Sequence, residues 1–405
     1  MQSSNRKNLF ILSFTLVVVT LGFGVVIPII PFYMENLGAS GTELGLLLAS
    51  YAVMRLLFAP IWGSLSDRIG RKPIMMIGIL GYGLTMVLFG LATELWMLFA
   101  ARILSGILSS ATSPTTMAYI GDSTSEQDRG SGMGILGAAV GLGTIFGPAL
   151  GGLLAGESLS TPFFIAGAMS FLALGLTWVL LPESLPKESR QPTQKKVPLP
   201  EIRLWWQALS SPIGILLVLA FVLTFGLMMF YGIFGLYALE RFGFGPEEVG
   251  VFFMVVGLVS AVTQGGLTGP ITKKWGEAPV IKISMLGSAV ALILMGLAYN
   301  YWSLLVTIGL FVFTTALLTP AISSLTSKRA ETQQGMAMGL SNSFMSLGRI
   351  AGPLLAGFVF DLNLILPFIS GAAIMLFGFI VSLIWLRGDA PTHSIPGSAD
   401  QTTLG

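Results

Sequence analysis

The sequence has no cysteine, one histidine and few charges: in 405 residues, Lys, Arg, Asp and Glu together make up 10%. Each shortage excludes a kind of chemistry. Without cysteine there is no disulfide, no thiolate nucleophile and no thiolate metal site. The one histidine, His393, lies in a polar C-terminal tail, which leaves no histidine-based metal or catalytic centre in the apolar body. No metal, cofactor or nucleic-acid partner is therefore expected, and neither is an enzyme. A soluble chain carries about a quarter charged residues. With 54% hydrophobic residues and a mean hydropathy of +0.83, this chain is expected to be solvated by lipid.

What the sequence does have is long apolar runs. A helix needs roughly 20 apolar residues to cross a bilayer, and on that measure the chain divides into twelve spans, near 9–34, 44–66, 73–93, 95–121, 130–155, 161–182, 211–239, 247–271, 279–299, 302–327, 334–360 and 364–386. The runs are continuous, which favours helices over barrel strands. The first is too long for a signal-peptide core and lacks a small-residue cleavage site, so it reads as a retained helix. Between the sixth and seventh spans lies PESLPKESRQPTQKKVPLPEIR, rich in proline and charge. The chain is accordingly divided into a six-helix bundle at 1–182, a linker at 183–210, a second bundle at 211–390 and a polar tail at 391–405.

Charge placement orients the spans. Of the 21 bases, Arg55, Arg102 and Arg349 fall inside spans and Arg241 in an outer loop. All the others lie in inner segments if both termini are cytoplasmic, as the positive-inside rule requires. A shift of 205 positions lays the segment from Arg129 over that from Gln334 without a gap. It matches Gly134 to Gly339, Gly143 to Gly348, Gly147 to Gly352, Pro148 to Pro353 and Gly152 to Gly357. The same shift pairs Glu43 with Glu248, Gly45 with Gly250 and Pro162 with Pro367. Two parallel six-span repeats imply a pseudo-twofold axis along the membrane normal, with a binding site at mid-depth between two rocking bundles.

Four motifs stand out. GSLSDRIGRK, between spans 2 and 3, puts one acid and three bases into a short loop: Gly63, Asp67, Arg68, Gly70, Arg71 and Lys72. RILSG carries Arg102 and Gly106 in span 4. GLGTIFGPALGG carries Gly143, Gly147, Pro148, Gly151 and Gly152 in span 5, and GFGVVIPIIP, Gly22 to Pro31, lies in span 1. In these motifs the chain resembles the major facilitator superfamily over essentially its whole length, and within it the twelve-helix drug:proton antiporters that include bacterial tetracycline and multidrug efflux pumps. The resemblance implies an all-α fold of two six-helix bundles in a bacterial inner membrane. It implies a monomer that exports small amphipathic molecules against protons, in contact with membrane lipids.

Each motif has two readings. Asp67 lies level with the N-terminus of span 11, where a helix carries positive partial charge, and Gly63 would let spans 2 and 11 approach. With Arg68, Arg71, Lys72 and Asp122 this makes a cytoplasmic latch between the halves; alternatively the bases only set topology. Gly143, Gly147 and Gly151 share one helix face, suited either to plain packing or to a sliding contact between halves. Arg55, about 18 Å along its helix from Asp67, cannot easily reach an interface. It and Arg349 are cavity candidates, and Arg102 divides evenly between structure and proton coupling. Phe230, Tyr231 and Phe234 in span 7, with Gln264 and Asn342, could line a pocket or pack between helices.

One feature departs from the antiporter pattern. All 19 acids lie in loops, tails or near span ends, so no carboxylate sits deep in the bilayer. Glu35, Asp67 and Asp122 remain as proton-coupling candidates, with Glu35 placed to communicate with Arg102. The alternative expectation is a carrier of an organic anion or lipid-like amphiphile with weak or no proton coupling.

Overall fold

The computed structural model describes residues 3–123, 126–156, 158–190, 202–330 and 334–386. Lys195, Lys196, Arg387 and the polar tail 391–405 lie outside the described residues. Twelve membrane-length helices are present: α1 Ser3–Asn36, α2 Gly41–Ile69, α3 Arg71–Gly90, α4 Leu95–Ser123, α5 Glu126–Leu154, α6 Thr161–Leu180, α7 Gly214–Phe242, α8 Pro246–Trp275, α9 Glu277–Gly296, α10 Tyr301–Arg329, α11 Gln334–Leu362 and α12 Leu366–Trp385. They match the expected spans to within a few residues at most ends.

The 205-residue repeat is visible in how the helices begin. At the start of α2, the Ser40 backbone N–H donates to Glu43 Oε2 at 2.8 Å, and at the equivalent start of α8 the Gly245 N–H donates to Glu248 Oε2 at 2.9 Å. The paired glutamates are thus third-position caps, each satisfying an amide that the first helical turn leaves free. The repeat also shows in how the helices bend. Pro60 lies inside α2, and the matching stretch of α8, Thr263–Leu267, is a π-helical turn. Two different devices interrupt the ladder at equivalent heights.

Apolar packing fills each bundle. In the second half, Phe230 lies 5.0 Å from Phe234, 5.4 Å from Phe311 and 6.0 Å from Phe253 between ring centroids, forming an aromatic core. The linker is not uniformly extended. Ile202–Leu209 forms a short helix whose Trp205 packs against Phe344 of α11, while Trp206 is 70% exposed, as suits an interfacial anchor.

Candidate substrate cavity and gates

The two bundles meet tightly at the end opposite the α2–α3 loop, and they do so twice. On one side of the pseudo-axis, a methyl added at Gly250 of α8 would lie 2.7 Å from the Pro148 carbonyl oxygen and 3.0 Å from Gly152 Cα of α5. On the other, a methyl at Gly41 of α2 would lie 3.0 Å from the Gly357 carbonyl of α11, and one at Gly45 would collide with the Pro353 carbonyl. Gly45 and Gly250, Pro148 and Pro353, and Gly152 and Gly357 are the pairs matched by the repeat. The shared glycines therefore encode one close helix crossing used on both sides, because only backbone without a Cβ permits that approach.

At the α2–α3 end the same helices are apart. Methyl groups at Gly63, Gly137, Gly141, Gly266, Gly269 and Gly339 would meet nothing within 4 Å. The approach of α2 to α11 expected at Gly63 is not made in this state, in which a methyl there would meet no part of α11. For the span 5 motif, the packing alternative is the one seen for most of the strip. Methyls at Gly143, Gly147 and Gly151 would run into Thr20, Leu21 and Val25 of α1, so this strip seals α5 to α1 inside one bundle, and Gly152 alone of the motif's glycines faces the other half.

Between the tight end and the separated end lies a cavity of about 390 Å³. It is lined from both bundles by, among others, Ile27, Tyr51, Arg55, Arg102, Thr144, Pro148, Met228, Tyr231, Phe253, Arg349 and Pro353. Arg55 and Arg349 are solvent-accessible there, although each sits deep within its helix. Their exposure identifies the hydrated space that lets a guanidinium stay at mid-membrane.

Arg102 is held differently. A methyl at Gly106 would lie 2.8 Å from the Tyr51 carbonyl oxygen, so α4 runs hard against α2. One turn earlier the Arg102 guanidinium stacks over the Tyr51 ring, 4.6 Å from its centroid, a cation–π contact. Arg102 is 4% exposed, and its Nε has no hydrogen-bond partner. The expected link from Glu35 to Arg102 is not formed: Glu35 is exposed at the far end of α1, where its charge acts on Glu240.

Of the other pocket candidates, one lines the cavity and four do not. Tyr231 lines the cavity and stacks on Phe253, ring centroids 5.6 Å apart. Phe230 and Phe234 are fully buried in the aromatic core, and Gln264 and Asn342 are exposed outside the cavity wall. Their helical spacing indicates which residues share a face but does not identify the neighbour that face meets.

The α2–α3 motif is a network within the first bundle. Arg71 donates from its side chain to Asp67 Oδ1 at 2.5 Å, Ser66 Oγ at 2.8 Å and Asp122 Oδ2 at 2.9 Å. Lys72 Nζ donates to the Trp178 carbonyl at 2.7 Å. Gly70 adopts φ +124°, a backbone conformation open essentially to glycine. Gly70 brings no side chain to cap α3; Glu183, just after α6, supplies one. Its Oε1 accepts from the Arg71 backbone N–H at 2.9 Å and its Oε2 from that of Lys72 at 3.3 Å. Sequence reading assigned Glu183 to the linker and missed this role, since nothing local ties it to a helix start 112 residues away.

Two six-helix bundles, closed on each other at one end and parted at the other around a mid-depth cavity, define a transporter of the alternating-access type. The Major Facilitator Superfamily profile matches residues 12–278 and 265–404, and the chain belongs to that superfamily. It is 30% identical over 387 residues to Multidrug resistance protein 2 of Bacillus subtilis (strain 168), spanning 94% of this chain and 96% of that protein. It is 31% identical over 380 residues to Quinolone resistance protein NorA of Staphylococcus aureus (strain COL), with the same coverage. Among solved structures, a point mutant of the nucleoside transporter NupG superposes with a TM-score of 0.78 at 14% identity, covering 94% of this chain and all of that one. The human organic anion transporter MFSD10 (TETRAN) does so at 0.69 and 24%, with the same coverage; at these identities the likeness concerns the fold. Twelve spans and bacterial relatives make this a multi-pass protein of the bacterial inner membrane.

Proposed function

We propose that this chain, acting as a monomer, expels small amphipathic compounds, drugs among them, from the cytoplasm in exchange for protons. The observation that carries the reading is the cavity between bundles sealed at one end by a doubled glycine crossing, which is the geometry of a carrier caught in one of two access states. Support for the substrate class comes from the two resistance proteins that resemble it over nearly their full lengths. The excess of bases around the α2–α3 end supports a cytoplasmic position for that end and for both termini, so the state described is open inward.

In this reading the α2–α3 motif is a latch in its released form. Asp67 is paired with Arg71 of its own bundle and becomes available to the N-terminus of α11 when the cytoplasmic ends come together. Asp67 and Asp122, both tied to Arg71, are then the carboxylates whose surroundings change in the cycle and the leading candidates for the proton. The test is efflux of ethidium and tetracycline from proteoliposomes with and without an imposed proton gradient. Gradient-driven efflux that Asp67→Asn abolishes is the expected result; efflux of neither compound under any gradient overturns the reading.

A further inference from the structure

The cavity wall is asymmetric in charge. The 205-residue shift places Thr144 opposite Arg349 and Ser260 opposite Arg55, so the repeat does not account for either arginine. Both open into the cavity, and Arg102 reaches it from behind Tyr51. No Asp or Glu lines this space among the described residues, and neither Arg55 nor Arg349 forms an ion pair there with a carboxylate. Arginine does not shed its proton in proteins, and guanidiniums gathered around one cavity without a carboxylate in its lining attract an anion. Arg102 sharpens the point: a guanidinium 4% exposed with an unpartnered Nε adds positive potential that no carboxylate lining the cavity offsets.

We propose that the ligand itself supplies the missing charge: the cavity takes an amphiphile bearing a carboxylate, held between Arg55 of α2 and Arg349 of α11. The planar guanidinium fork matches a carboxylate in two parallel hydrogen bonds. The apolar body of the ligand rests on Ile27, Met228, Tyr231 and Phe253, with Arg102 behind as a positioning charge. The proposal rests on the transport reading and narrows it to a substrate class.

The two anchoring arginines belong to different bundles, and each lies within the other's field. Drawing the bundles together around an empty cavity sets like charges against each other, whereas an anion between them ties the halves together. Bound substrate thus favours occlusion of the cavity. An inside-negative membrane potential adds to the outward drive on an anion.

Three dansyl probes with one fluorophore test this on the purified full-length protein in nanodiscs: N-dansylglycine (anionic), dansylamide (neutral) and dansylcadaverine (cationic), with binding read by fluorescence. The expected result is that dansylglycine binds at least about tenfold tighter than dansylamide, the effect of a charge-assisted pair. That ratio should fall to about one in Arg55→Gln and in Arg349→Gln. Because each ratio is taken within one variant, loss of folded protein lowers both signals and leaves the ratio unchanged. A ratio that survives both substitutions, or dansylcadaverine binding as tightly as dansylglycine, overturns the proposal. Ethidium and tetracycline efflux, measured separately, reports on the transport reading: efflux without anion preference sinks the substrate class alone, while anion binding that depends on the arginines upholds the site even if neither drug moves.

Discussion

Asp361, the penultimate residue of α11 in the second bundle, accepts a hydrogen bond from the backbone N–H of Gly41, the first residue of α2 in the first bundle, at 2.7 Å. Its other oxygen accepts from Thr42 N–H at 2.9 Å and from the Thr42 hydroxyl at 2.5 Å. A carboxylate at a helix N-terminus pairs with free amides and with the positive end of the helix dipole. Here the carboxylate and the helix come from opposite halves, so the contact exists only while this end is shut. The repeat places Gly156 at the position of Asp361, so among the described residues the polar clasp sits on one side of the pseudo-axis only.

Removing that clasp is expected to open the end it holds. Asp361→Ala loses a charge-assisted cap worth about 1–2 kcal/mol, enough to shift a two-state population roughly 5- to 30-fold. The chain has no cysteine, so labels can be placed without first clearing a background. The distance between spin labels at Asn36→Cys and Leu362→Cys should lengthen in a larger fraction of molecules when Asp361→Ala is added. An unchanged distribution would show that the glycine crossing alone sets the closed state.

The glycine crossing makes its own prediction. Gly250→Val and its repeat partner Gly45→Val each place side-chain carbon where backbone now lies, at Pro148 and Pro353 respectively. Each should block the state shut at this end and reduce transport by more than about tenfold, since close packing between halves cannot bend around a new side chain. Dye efflux and the same spin-label pair would check both. Gly137→Val, on the parted stretch where nothing lies within 4 Å, should leave the spin-label distance as it is.

A third expectation concerns the turn that starts α3. Gly70→Ala meets two obstacles: φ +124°, and a Cβ that would run into Glu183 Oε2. Strain of this kind costs of order 1–3 kcal/mol. Glu183→Gln keeps the shape but loses the charge facing the α3 N-terminus, and should cost less, about 0.5–1 kcal/mol. Thermal unfolding in detergent should therefore rank native above Glu183→Gln above Gly70→Ala; the reverse order would mean the turn is set by something other than this cap.

What could be read from the sequence follows the range of each signal. Span positions depend on local apolar runs, and the repeat depends on a constant shift, so both were legible. The Glu43 and Glu248 pairing was visible as a match, and its cause, two equivalent caps, needed only a three-residue reach. Partners across the molecule were not legible. Helical spacing shows that Gly143, Gly147 and Gly151 share a face but not that the face meets α1, and it groups Phe230 with Phe234 without revealing that both are buried. Gly63 was expected to touch α11 because the sequence carries the contacts of every state at once, whereas one state was observed. Arg55 and Arg349 were legible as cavity residues because charge at mid-membrane has few places to go.

The same pair of helices carries an acid at each end of its crossing, and this gives the last prediction. Asp67, near the C-terminal end of α2, lies toward the end where α11 begins, while Asp361, near the C-terminal end of α11, caps the start of α2. Because α2 and α11 run antiparallel across the interface, Asp361 caps the start of α2 at one face of the membrane, and the proposed latch would bring Asp67 to the start of α11 at the other. In this state the Asp361 contact is made, while Asp67 is engaged with Arg71. If the two contacts alternate, Asp67→Asn should stabilise the state described here and Asp361→Ala the opposite one, with spin-label distances at Asn36 and Leu362 moving in opposite directions. The double variant should return to a near-native balance, with the two shifts adding because the sites share no partner. Shifts of the same sign from both substitutions would show that one of the acids has another task.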